Sequence, residues 1–92
     1  MDDGTRKKVV RRLASAAGHI TGIERMVEED TYCIDVIKQI QAVQAALNKV
    51  SAMMLENHLH TCVTTAVRGN DPDERAQMLS EVASVFEMSA KL

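Results

Sequence analysis

From Thr31 to Val67 the chain contains neither proline nor glycine, and Ile34, Ile37, Ile40, Val43, Leu47, Val50 and Met54 recur at three- and four-residue steps. That spacing is helical, and at 1.5 Å per residue such a helix would be roughly 55 Å long. A compact monomer of 92 residues measures only about 25–35 Å across. Between Ile37 and Leu55 the only charged side chains are Lys38 and Lys49, so the middle of the helix is apolar nearly all round. The remaining sequence is too short to cover it. A chain with this segment is expected to bury it against further copies of itself.

The flanking segments read as two shorter helices. From about Thr5 to Glu29, Val9, Leu13, Ala16, Ile20, Ile23 and Val27 form an amphipathic pattern. Gly18 and Gly22 lie inside it, each at a propensity cost of roughly 1 kcal/mol, which the close approach of another helix backbone would explain. Asp30 or Thr31 is expected to cap the long helix. The break comes at Arg68–Pro72, where Asp71 reads as an N-cap, Pro72 as the first helical residue and Glu74 as part of a capping-box-like pattern. Met78, Leu79, Val82, Val85 and Phe86 then line a last helix. No strand pattern competes. The expected fold is all-α, three helices with a long central one, a single domain over residues 1–92, assembling as an antiparallel dimer and then a tetramer. No apolar run is long enough to cross a bilayer and no secretory signal pattern opens the chain, so a cytoplasmic location is expected.

In that setting the two cysteines, Cys33 and Cys62, are more plausible as thiols or ligands than as a disulfide. His58 and Cys62 are four residues apart, one helical turn, which suits two ligands of one metal. Cys33 would lie roughly 37 Å from His58 along the same helix. An antiparallel partner with its two-fold axis near Leu47 removes the difficulty, because it places residue 33 of one subunit opposite residue 61 of the other. Cys33 then faces the neighbour's His58 and Cys62, with two equal sites per dimer. Two thiolates and an imidazole suit trigonal Cu(I), whereas structural zinc would want a fourth ligand. His60 points to a different face. The plain alternative is a small buried cysteine and an ordinary surface histidine. The His58–Cys62 spacing alone is a weak signal, and its mirrored distance from Cys33 raises a site above that alternative.

Net charge is −2, yet Arg6, Lys7, Lys8, Arg11 and Arg12 crowd one short stretch. Such a cluster is usually a solvated helix end. The sharper reading is an anion-binding face, which an oligomer bringing several copies together would support.

The stretches "GHITGIERMVEED" and "YCIDVIKQIQAVQAALNKVSAMMLENHLHTCVTTAV", with their Cys…His-x-x-x-Cys arrangement, closely resemble the CsoR/RcnR family of bacterial transcriptional regulators over nearly the whole chain. The resemblance implies an all-helical dimer of dimers that binds operator DNA without a helix-turn-helix and releases it on binding its inducer. It implies Cu(I) as inducer, held by Cys33, His58 and Cys62. Nickel and cobalt sensors carry more histidines, formaldehyde sensors lose the last cysteine and persulfide sensors lack the histidine. Tyr32 matches a tyrosine that copper members keep beside the ligands. The family's glutamate on the last helix falls at Met78, with Gln77 and Glu81 nearby, and Glu81 is taken as its substitute. Arg12 and Lys49 match two basic positions that such repressors use on DNA, which Arg6, Lys7, Lys8 and Arg11 would supplement; Ala14 and Ala17 stand where the family is usually more basic.

The leading expectation is therefore a Cu(I)-responsive repressor, with a persulfide or nickel sensor on the same scaffold as the alternative. A copper buffer without a DNA target would have no need of the basic cluster. A thiol enzyme using Cys33 and His58 lacks an oxyanion loop and a third orienting residue.

Overall fold

The structure is a computed structural model describing residues 1–91, without the side chains of residues 62, 63 and 89–91. The described residues are helical apart from short connections: α1 (Asp3–Glu28), α2 (Cys33–His58), a π-helical turn (Leu59–Val63), α3 (Thr64–Arg68) and α4 (Pro72–Lys91). They form two compact units, Met1–Glu56 and Asn57–Leu92.

The first unit is an antiparallel hairpin of α1 on α2. Asp2 caps α1, its Oδ1 accepting from the Thr5 N–H at 2.8 Å. The far end closes in a Schellman arrangement: Thr31 N–H donates to the Met26 carbonyl at 2.9 Å and Asp30 N–H to that of Val27 at 3.1 Å. Asp30 takes the left-handed position with φ 56°, one that asparagine and aspartate tolerate better than most residues. Asp30 therefore ends α1 rather than capping α2. The next helix starts beyond it, where the Tyr32 carbonyl accepts from Asp35 and Val36 N–H.

Between the helices runs a seam with a seven-residue repeat. Val9 and Ala16 on α1, and Val36, Val43 and Val50 on α2, are buried, and Ile23 continues the α1 series half-buried. The His19–Gln39 hydrogen bond at 2.7 Å fixes the antiparallel register, pairing the level of Val9 with Val50, Ala16 with Val43 and Ile23 with Val36. At about 100° per residue, a side chain three positions after a seam residue lies some 60° to one side, and one four positions after lies some 40° to the other. The seam thus separates two flanks. Leu13, Ile20 and Val27 with Ile40, Leu47 and Met54, all exposed, make the apolar flank. Cys33, three positions before Val36, falls on that flank too. Gly18 and Gly22 have nothing within 4 Å of where a Cβ would stand, so the close backbone approach expected there is not made by this chain's own helices.

In the second unit the helical path passes through the π turn with no proline or glycine to cause it. The Thr64 N–H donates to the Leu59 carbonyl, the i→i−5 bond of a π turn. Threonine hydroxyls donate to nearby carbonyls throughout: Thr61 to Asn57 at 2.9 Å, Thr64 to Leu59 at 2.6 Å and Thr65 to Thr61 at 2.7 Å. Such back-bonding competes with the i→i−4 ladder and bends helices. Asp71 Oδ1 accepts from the Asp73 and Glu74 N–H at 3.0 and 3.3 Å, the expected cap with Pro72 first in the helix. The α4 helix returns against α3 and the π turn. No described helix is long and apolar enough to cross a membrane.

Candidate functional site

Two sets of residues carry chemistry. The first is basic. Lys8, Arg11 and Arg12 from α1 and Lys49 from α2 converge with Ser15 and Met53 on an open cleft of about 650 Å³. The spacing of Lys8, Arg12 and Ser15 keeps them on one side of α1, and the antiparallel register brings Lys49 and Met53 opposite. Lys8, Ser15 and Lys49 each stand one position before a seam residue, and Arg12 and Met53 three after, so the cleft occupies the flank opposite the apolar one. Four cations converge on one concave surface, an arrangement that attracts anions.

Two residues expected to join them do not line it. Arg6 pairs with Asp3 at 2.9 Å and reaches the Met1 carbonyl at 3.2 Å. Lys7 is exposed outside the cleft lining. Ser15 and Met53, which the sequence did not single out, belong to it; their signal was the helical spacing from Lys8 and Lys49.

The second set is the ligand residues. Cys33 is a free, exposed thiol in the first turn of α2, directly after the exposed Tyr32. His58 closes α2 half-exposed, and Cys62 lies in the π turn with its side chain outside the described residues. Among the described residues no group of three or more His, Cys, Asp or Glu side chains within one chain could hold a metal. Glu81 is exposed on α4 and accepts from Gln77 Nε2 at 3.3 Å, and Met78 beside it is half-buried. A soft metal fits the donors on view: an uncommitted thiol, and an imidazole still open to solvent one turn from a second cysteine. π turns recur at functional sites, and this one begins at the residue after His58.

Comparison with known proteins bears on both sets. The sequence profile of a family described as metal-sensitive transcriptional repressor matches residues 5–88. The chain is 40% identical over 84 residues to the copper-sensing transcriptional repressor CsoR of Bacillus subtilis, covering 91% of this chain and 80% of that one. It is 50% identical over 62 residues to the protein of the same name from Mycobacterium tuberculosis, 67% of this chain and about half (52%) of the relative. Among solved structures it superposes on the copper-sensing repressor CsoR with Cu(I) from Geobacillus thermodenitrificans, with TM-score 0.86, 34% identity and coverage of 98% and 91% of the two chains.

Proposed function

The chain belongs to the metal-sensitive transcriptional repressor family, a class of regulators rather than enzymes, and from that membership we propose that it is a Cu(I)-responsive repressor. In this reading all 92 residues act as one cytoplasmic sensing and DNA-binding module, occupying operator DNA without the metal and leaving it when Cu(I) binds. The observation that carries the reading is the soft donor set Cys33, His58 and Cys62 in a chain 40% identical to a copper-sensing repressor over 91% of its length.

The working unit is an antiparallel dimer, paired into a tetramer. The exposed large side chains of the apolar flank form a stripe too continuous for a monomer's surface, and a two-fold axis at Leu47 lays the stripe on its own copy. Cys33, on the same flank, then meets His58 and Cys62 of the partner subunit. Bound Cu(I) would supply a link between the thiolate of one subunit and the thiolate and imidazole of the next. Tyr32 stands beside the thiol; the Gln77–Glu81 pair on α4 takes the place of the acidic residue usual at Met78. On the opposite flank Lys8, Arg11, Arg12 and Lys49 neutralise phosphates. The metal can shift the population away from DNA only by binding the released arrangement more tightly than the DNA-bound one.

Subunit mixing tests the crossed site. Cys33→Ser and Cys62→Ser proteins should each lose tight Cu(I) binding, yet a mixed dimer regains one intact site, half the wild-type stoichiometry per dimer. Restored binding is read by competition with a Cu(I) chelator, after subunit exchange is verified by mass. No recovery at all would refute the crossed arrangement. Parallel titrations with Cu(I), Ni(II) and a persulfide donor, followed by DNA release, should show release by Cu(I) alone.

A further inference from the structure

The cleft does not end at its cations. Arg12 and His19 stand at the same place in the seven-residue repeat of α1, three positions after Val9 and Ala16. Gln39 and Met53 share the corresponding place on α2, three positions after Val36 and Val50. The His19–Gln39 pair therefore lies on the cleft's flank, about 10 Å further along it at 1.5 Å per residue. Measured along a duplex axis, that is about three base-pair steps at roughly 3.4 Å each. The pair is fixed across the two helices: His19 Nε2 and Gln39 Oε1 are 2.7 Å apart. An amide oxygen only accepts, so the imidazole N–H donates and the Gln39 amide nitrogen keeps both its donors. Among the described residues nothing else engages that nitrogen, and Gln39 is exposed.

We propose that Gln39, held in place by His19, is a second phosphate-contacting position on this flank, donating uncharged N–H groups to the DNA backbone about 10 Å along the flank from Arg12 and about 15 Å from Lys49. This rests on the flank being the DNA face. His19 is a positioning residue: it occupies the amide oxygen and so turns the NH₂ group outward. With that oxygen turned back to His19, the outward NH₂ is the group that meets the DNA, and it only donates. Its partner is a pure acceptor, as a phosphate oxygen is.

The charge state separates this contact from those of the cleft. A cation on a phosphate displaces counterions, so its removal makes the salt dependence of binding shallower by about one unit. An uncharged donor displaces none. Gln39→Ala in the full-length protein should weaken binding roughly three- to ten-fold, the range of one net hydrogen bond, at unchanged salt slope. Arg12→Ala should weaken binding and also lower the slope. The probes are duplex DNA from upstream of the chain's own gene and a shuffled duplex of equal length, followed by fluorescence anisotropy across a salt series. Gln39→Ala should lose affinity for both duplexes by the same factor, and Gln39→Glu, which sets a carboxylate against the phosphate, should lose more. Helical content and Cu(I) stoichiometry should match wild type in both variants. Wild-type affinity in Gln39→Ala while Arg12→Ala is defective would overturn the contact and leave the cleft standing. Loss on the upstream duplex alone would make Gln39 a base reader and overturn the phosphate assignment. If Arg12→Ala and Lys49→Ala also bind normally, the DNA reading of the whole flank fails.

Discussion

Replacing Leu47 with alanine is expected to weaken assembly while sparing the fold of the subunit. Leu47 stands four positions after Val43 on the apolar flank and keeps 38% of its surface exposed in the isolated chain. Full burial of a leucine side chain contributes about 1.5–3 kcal/mol, so a partner covering the remainder would gain about 0.6–1.1 kcal/mol per copy. In the proposed dimer both copies would meet at the two-fold axis, giving about 1–2 kcal/mol per dimer and roughly a ten-fold weaker dissociation constant for the variant. Sedimentation equilibrium over a wide concentration range measures that constant directly. Val43→Ala is the matched control. Val43 is only 5% exposed and belongs to the α1–α2 seam, so its truncation should cost about 1–3 kcal/mol in urea unfolding with the dimer constant little changed. If Leu47→Ala left the dimer constant at the wild-type value and lowered unfolding stability equally at every concentration, the apolar flank would not be the subunit contact.

Three further outcomes follow from particular residues. Lys49→Ala should weaken DNA binding and lower the salt slope by about one unit, with Cu(I) stoichiometry unchanged, as read by anisotropy and chelator competition. Asp30→Gly should hold or raise the melting temperature, because glycine meets no Cβ penalty at φ 56°; Asp30→Val should cost about 1–2 kcal/mol. Asp71→Ala removes the acceptor for the Asp73 and Glu74 N–H groups and should cost about 1 kcal/mol in thermal unfolding.

The helices and the last cap were legible because each had a local cause: apolar residues at three- and four-residue steps, and an Asp-Pro pair at the break before the last helix. Asp30 was misassigned because aspartate serves two ends of a helix. It caps N-termini and also tolerates the left-handed position at a C-terminus, and only the backbone distinguishes the two. The π turn escaped because it leaves no gap in the apolar pattern; its signal was the threonine run Thr61, Thr64 and Thr65, whose hydroxyls bond to carbonyls four and five residues back. In the cleft, Lys8, Arg11 and Arg12 could be grouped by helical spacing. Lys49 entered only through the family resemblance, since no spacing within one helix reports on the register between two. The same blindness hid His19 and Gln39. Arg6 was counted with the cluster because a sequence shows charge but not that Asp3 holds it.

The division of the hairpin into flanks bears on how a site on one side can govern binding on the other. Among the described residues the buried apolar side chains are Val9, Ala16, Val36, Val43, Val50 and Ala66, and no polar or charged side chain is buried. That is a thin core, largely one seam of small residues. A seam without large interlocking side chains leaves α1 room to roll on α2 about the level held by the His19–Gln39 hydrogen bond. The roll of α1 against α2 would then respond to whatever covers the apolar flank. Lys8, Arg11 and Arg12 sit on one of these helices and Lys49 on the other, so the spacing of the four cations changes whenever the two helices shift. A ligand that joined Cys33 to the partner subunit on the apolar flank would alter that spacing without touching a basic residue. Such coupling would need no chain of contacts through the core, because the same two helices form both flanks.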